Sequence, residues 1–183
     1  MEILRAADRI ATLWKNGGGE TREVALFPEG AGWADFQWRI SIATVTASGP
    51  FSAFPGIDRT LVVLDGALQL TIDGGIQPVQ RASSPPIRFD GAAATHGTLI
   101  EGAVTDLNLM VRRGSCIGSL MPLHSRDAAD NESRRFIIAA APCMLGDVRL
   151  AAQDALSLMP GETMPLLPAD ARGWIVRLEE TAA

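Results

Sequence analysis

Four short stretches hold the residues whose types and spacing suit binding chemistry. The first, Trp14 to Glu23, reads WKNGGGETRE. Its three successive glycines, Gly17 to Gly19, allow the backbone to approach an anion closely or to turn with positive φ. Lys15 and Asn16 would supply donors there, and Glu23 a carboxylate. The segment is neither GxxxxGK(S/T) nor GxGxxG, and no helical pattern follows it, which argues against a nucleotide-phosphate loop. A plain turn entering a strand is the competing reading. The second stretch, Gly49 to Arg59, reads GPFSAFPGIDR. Phe51 and Phe54 are apolar anchors, Pro55-Gly56 is a turn, and Asp58 and Arg59 sit directly before an apolar strand. Arg59 either belongs to a surface turn with a local ion pair or stands at a barrel mouth, gripping a carboxylate with its two-pronged guanidinium.

The third and fourth stretches are strands that interrupt an apolar pattern with polar groups. In Trp38 to Val45, Arg39 and Ser41 alternate with Trp38, Ile40 and Ile42. In Asp106 to Arg113, Asp106 and Asn108 alternate with Leu107 and Leu109. Side chains two apart share a face of a strand. Burying such groups without partners costs a few kcal/mol each. Their face therefore either looks to solvent or lines a polar cavity of the kind that binds ligands inside small barrels.

Other chemistries find little support. The chain has two histidines, His96 and His124, and no clustered HxH motif. Two separated imidazoles do not supply the three or four protein ligands of a usual transition-metal site, so no metal and no cofactor are expected. There is no GxSxG elbow, and no catalytic residue can be named. Cys116 and Cys143 are far apart and read as small apolar residues in a reducing compartment.

The elements that must position these groups read as strands. Of 183 residues, 47% are hydrophobic and 20% charged, enough for a packed core. Eighteen Gly and 11 Pro are dispersed, and turn signals recur about every ten residues, the rhythm of an all-β sandwich or barrel. Thr60 to Ile72 reads as the clearest hairpin, with Asp65-Gly66 as a type I′ turn. Arg135 to Ala141, Ala155 to Met159 and Trp174 to Leu178 read as later strands, and Ser125 to Ser133 as the best helix candidate. The division expected is residues 1–114 as a first module carrying the pocket, and residues 115–183 as a connection and a smaller β module. A net charge of -5 speaks against nucleic acid as a partner. The amino-terminal residues do not look like a signal peptide and no apolar run suits a membrane helix, so a cytoplasmic protein is expected.

The stretches WKNGGGETRE, WRISIATV (Trp38 to Val45), GPFSAFPGIDRTL (Gly49 to Leu61) and DLNLMVRRG (Asp106 to Gly114) together resemble the HutD/Ves family, over roughly the first two-thirds of the chain. The resemblance implies a cupin, a jelly roll or double-stranded β-helix, bicupin-like with a reduced second half. It also implies a link to histidine utilisation and a non-catalytic, regulatory role. It points to Asn16, Arg39, Arg59, Asp106 and Asn108. The chain departs from the family at FDGAAATHG, Phe89 to Gly97, which puts a ligand role for Asp90 in doubt.

Two functional readings follow. In the first, a carboxylate metabolite of the urocanate or N-formylglutamate class sits in the first module, neutralised by Arg39 and Arg59 and read by Asp106 and Asn108. In the second, a metal-independent isomerase or lyase uses Glu23 or Asp106 as general base. The whole candidate set is Lys15, Asn16, Glu23, Arg39, Ser41, Arg59, Asp106 and Asn108, with Asn16 and the glycine turn expected near the cavity rim. A homodimer is left open.

Overall fold

Short runs of β-branched and apolar residues, broken by Gly and Pro, give strands and little else. The computed structural model describes residues 1–124, 131–168 and 171–180. In chain order its strands are β1 (Glu2–Leu4), β2 (Ala11–Leu13), β3 (Gly19–Phe27), β4 (Trp38–Val45), β5 (Gly49–Pro50), β6 (Ile57–Asp65), β7 (Leu68–Ile72), β8 (Gly75–Ile76) and β9 (Ile87–Asp90). They continue as β10 (Thr95–Leu99), β11 (Val104–Arg112), β12 (Cys116–Pro122), β13 (Arg134–Ala139), β14 (Cys143–Leu145), β15 (Val148–Leu150), β16 (Ala155–Leu158) and β17 (Gly173–Glu180). A single 3-10 turn, Ala6–Asp8, is the helical element among the described residues. No helix among them is long and apolar enough to cross a membrane. Residues 125–130 of the candidate helix lie outside the described residues.

The chain divides into two compact units, residues 10–116 and residues 1–9 with 117–183. In the first, a six-stranded sheet runs β2-β3-β4-β11-β6-β9 and a four-stranded sheet runs β5-β10-β7-β8, with antiparallel pairing in both. Leu61, Val63 and Phe89 of the larger sheet pack with Leu68 and Leu70 of the smaller one, closing an apolar core between them. The architecture is the cupin jelly roll. The second unit has a five-stranded sheet, β1-β16-β13-β17-β12, and the hairpin β14-β15. Its core is built on Ile137, Leu145, Leu150, Leu156, Leu158 and Ile175.

The expected hairpin at Thr60 to Ile72 is not one. β6 pairs with β11 and β9, whereas β7 pairs with β10 and β8, so the chain leaves one sheet and enters the other at Asp65-Gly66. Gly66 has φ +84 and Asp65 does not adopt positive φ, so the type I′ requirement is unmet there. It is met at Asp73-Gly74, with φ of 48 and 80, which joins β7 to β8.

Residues 1–9 cluster with the carboxy-terminal unit and not with the strands that follow them. β1 pairs antiparallel with β16, Glu2 opposite Ser157. Buried Asp154 secures the next residues: its carboxylate accepts from the Ala6 amide at 2.7 Å, Arg5 Nη1 at 2.8 Å and the Ala151 amide at 2.9 Å. Burial pushes this carboxyl up, but the two amides and the guanidinium outweigh it and hold it below the usual carboxylate range. Asp154→Ala should cost about 2–3 kcal/mol near neutral pH, since it strands two backbone donors and removes an ion pair with Arg5. Because the folded pKa is depressed, that contribution is present above the unfolded pKa and lost as pH falls through the folded one. Urea unfolding of both proteins from pH 7 downward should show the difference shrinking; a constant difference would refute the role of the charge.

Candidate functional site

Register brings the polar strand residues to one wall. Ser41 lies opposite Asn108, and Asn108 opposite Leu61. Arg39 lies opposite Met110, and Met110 opposite Arg59, which in turn faces Phe89 of β9. Asp106 lies between Ala43 and Val63. Directly opposed residues share a sheet face, and this face also carries Leu61 and Val63, which reach the core between the sheets. The polar groups therefore project inward. The alternative of a solvated outer face does not hold: Ser41, Arg59, Asp106 and Asn108 are all buried, and so are Ile40, Ile42, Leu107 and Leu109 on the opposite side.

Three of these side chains form a hydrogen-bonded row. Arg59 Nη2 donates to Asn108 Oδ1 at 2.9 Å. Asn108 Nδ2 donates to Asp106 Oδ1. The amide can face only one way here, oxygen toward the donor-only guanidinium and nitrogen toward the carboxylate. Asp106 is 1% exposed and Arg59 7%. Burial pushes the Asp106 carboxyl up to about 7, against the lowering influence of Arg59 and of the Asn108 hydrogen bond. Burial pulls the Arg59 guanidinium down to about 10, with Asp106 opposing and Arg39 reinforcing the change. Arg59 Nε is buried without a hydrogen-bond partner, and no ion pair reaches Arg59 among the described residues.

Aromatic rings take the place of a counter-ion. The Arg59 guanidinium carbon lies 5.1 Å from the Phe51 ring, 5.1 Å from Phe89 and 5.9 Å from Phe54, within cation–π range. Gly97 makes room for this packing, because a Cβ there would lie 2.8 Å from the Phe51 ring. Arg39, two strands away, donates from Nε to Glu23 Oε2 at 3.0 Å, and its guanidinium carbon lies 4.5 Å from the Trp33 ring. Its Nη1 is 3.4 Å from Ser41 Oγ, long for a hydrogen bond. Met110 separates the two arginines, which puts their backbones about 10 Å apart at ordinary strand spacing.

Trp33 had no place in the sequence reading. It lies in the connection between β3 and β4, stacks on Phe54 at 5.1 Å and meets Phe36 edge-on at 6.4 Å, yet remains 58% exposed. Arg112 braces this connection, donating to Ala34 O at 2.7 Å and Phe36 O at 2.9 Å. The one hint in the sequence is a tryptophan standing in the turn-rich segment PEGAGWADF.

Lys15 and Asn16 do not join the row. Gly19 pairs with Val45, six residues along β4 from Arg39, so the glycine turn lies about 20 Å away along the strand. It is at the Asp106 end of the wall, away from exposed Trp33. Asn16 Oδ1 accepts from the Gly18 amide at 3.0 Å, and Gly18 O accepts from the Thr46 amide at 2.9 Å, so the turn is braced by its own groups. A Cβ at Gly19 would lie 2.4 Å from Thr44 O, which explains that glycine by close packing. Lys15 is exposed. Asp90 turns outward, pairing with Arg113 and accepting from the Ala92 amide at 2.8 Å. His96 and His124 are exposed, and among the described residues no three His, Cys, Asp or Glu gather as a metal group would.

A jelly roll whose inner wall holds two arginines, an amide and a buried carboxyl beside a ring of aromatic side chains is a cupin-type scaffold with a charged interior. The chain belongs to the HutD family, whose model matches residues 6–176. It is 39% identical over 119 residues to Protein Ves of Citrobacter koseri, a match covering 63% of this chain and 60% of that protein. It is 40% identical over 116 residues to an uncharacterized 21.2 kDa protein in the hutC 3′ region of Pseudomonas putida, covering 60% of this chain and 57% of that one. The chain thus aligns with less than two-thirds of these relatives' own lengths. The solved structure of HutD from Pseudomonas fluorescens SBW25 superposes with a TM-score of 0.83 at 27% identity, covering 99% of each chain. The family match reaches into the last third, where the short motifs had stopped.

The raised Asp106 carboxyl has a thermodynamic sign. Between the ordinary carboxylate pKa, about 4, and its folded value of about 7, the native chain holds a proton that the unfolded chain releases. Stability attributable to this group therefore falls as pH rises across that window. Asp106→Asn should remove the decline, so that the wild type loses a few kcal/mol relative to the variant between pH 4.5 and 7.5. Parallel urea-unfolding curves over that range would refute the assignment.

Proposed function

We propose that this chain is a non-catalytic, regulatory binding protein of the cytoplasm that takes a small carboxylate metabolite of the urocanate or N-formylglutamate class, in association with histidine utilisation. One observation carries the reading: Arg59 is buried, and among the described residues its Nε has no partner while its Nη2 donates to a neutral amide. A guanidinium left in that condition among apolar and aromatic groups is costly. A ligand carboxylate would supply both the missing charge and the missing acceptor. Arg39, on the same wall and already carrying Glu23, offers a second cation toward the exposed end. The relative in the hutC 3′ region and the likeness to a solved HutD support the metabolic association.

A second reading is favoured by Asp106. A buried carboxyl near 7 suits a general base, and a metal-independent isomerase or lyase would use it. Incubation with urocanate and with N-formylglutamate, followed by proton NMR, separates the two: turnover of either supports the enzyme, and unchanged spectra with measurable binding support the binder.

Arg59→Met tests the main reading. Methionine keeps an apolar stem against Phe51 and Phe89 but removes the charge. Affinity should fall by about 2–5 kcal/mol, as expected when a buried ion loses its partner, while the melting temperature of the unliganded protein should hold or rise. A thermal-shift titration measures both; unchanged affinity would overturn the proposal.

A further inference from the structure

We infer that binding of a carboxylate at Arg59 is coupled to uptake of a proton by Asp106. The inference rests on the carboxylate-binding reading and adds a regulatory input to the same site. Its basis is the geometry of the row. Arg59 and Asp106 are not in contact; the Asn108 amide stands between them and hydrogen-bonds to both. Asp106 is fully enclosed, and Arg59 is the nearest cation on its face. The charged groups that look toward it are few. β6 contributes Arg59, β4 contributes Arg39, and β3 contributes Glu23, which is already paired with Arg39. Beyond Arg59, β9 contributes Phe89. From the opposing sheet β7 contributes Leu68 and Leu70, while His96 of β10 is exposed.

Without a ligand the row holds one guanidinium and one carboxyl that is only partly ionised near neutrality, so positive charge is in excess. An arriving carboxylate neutralises Arg59 and removes the attraction that keeps Asp106 ionised at all. Two anions would then share one buried cation, which low-dielectric surroundings penalise heavily. The enclosed member, Asp106, resolves this by taking a proton from solvent. Its pKa then lies above its value of about 7 in the empty protein. As an acid, Asp106 still accepts from Asn108 Nδ2 through its carbonyl oxygen, so the row keeps its hydrogen bonds. Below the free-protein pKa the proton is already in place, so affinity is flat there. Above it each binding event must capture a proton, and affinity declines as pH rises.

Isothermal titration calorimetry with N-formyl-L-glutamate, whose carboxyls stay ionised throughout, tests this between pH 6 and 9 in phosphate and in Tris. The two buffers differ in ionisation heat, so the slope of observed heat against that value counts protons. The expected result is uptake approaching one proton near pH 8, with Kd flat below pH 7 and rising about tenfold per unit above it. Asp106→Asn should give a pH-independent Kd and no proton uptake. If that variant does not fold, the wild-type proton count and Kd slope decide alone. Tight binding with no proton uptake and a flat Kd overturns the coupling and leaves the carboxylate reading standing. No binding of either N-formylglutamate or urocanate at any pH sinks the carboxylate reading, and the coupling with it.

Discussion

A guanidinium and a carboxyl held apart by one amide set the terms for the first unit. Arg59 and Asp106 could have met directly, as surface Arg81 and Glu101 do at 2.6 Å. Held apart by Asn108, each is stabilised without being neutralised. The groups around them enclose the row and, among the described residues, leave Arg59 Nε without an acceptor. Phe51, Phe54 and Phe89 supply ring faces. Gly97 gives up its side chain so that Phe51 can lie close. Leu61 and Val63 extend the same wall into an apolar core. A polar row of this kind is a poor way to gain stability, which makes its presence inside a sandwich more informative than the apolar core around it.

Period-two alternation made much of the wall legible. Arg39, Ser41, Asp106 and Asn108 each interrupt an apolar strand at every second position, and a strand's geometry then obliges each pair to share a face. The same rule separates neighbours at Asp58-Arg59. Asp58 turns outward to meet Arg88 at 2.9 Å and Arg113 at 2.8 Å, while Arg59 turns in. The segment thus carries a surface ion pair at Asp58 and a buried guanidinium at Arg59. What alternation cannot convey is which strands become neighbours and at what offset. The glycine-rich turn at Asn16 is one such case: the pairing of Gly19 with Val45 sets it at the Asp106 end of the wall, six residues along β4 from Arg39.

The turns and the aromatic lining failed for a related reason. Asp65-Gly66 and Asp73-Gly74 are the same dipeptide, yet one crosses between sheets and the other closes a hairpin. The difference lies in whether the strand that follows finds a better partner elsewhere, as β7 does in β10. Trp33 sits in a connection with no period at all, so its place beside Arg39 is decided by the Arg112 contacts and by stacking on Phe54, both of them long-range in sequence. No local signal in the sequence announces that residues 1–9 cluster with residues 117–183.

That last arrangement imposes an order of events on a chain that emerges from the ribosome amino terminus first. β1 is made at residues 2–4, and its partner β16 at residues 155–158. At typical elongation rates of about 5–20 residues per second, the first strand waits roughly 8–30 s for the strand it pairs with. All the strands of the jelly roll between residues 10 and 116 appear in that interval, so the inner wall with its arginines can close while the opening segment is still unpaired. A three-residue strand whose Ile3 has no sheet to join is a poor nucleus for wrong pairing, being too short to hold an edge by itself. The brevity of β1 and the two hydrogen bonds that Asp154 makes to Arg5 and Ala6 then complement each other: the short strand commits little on its own, and strand pairing and side-chain bonds together fasten the segment once its partner arrives.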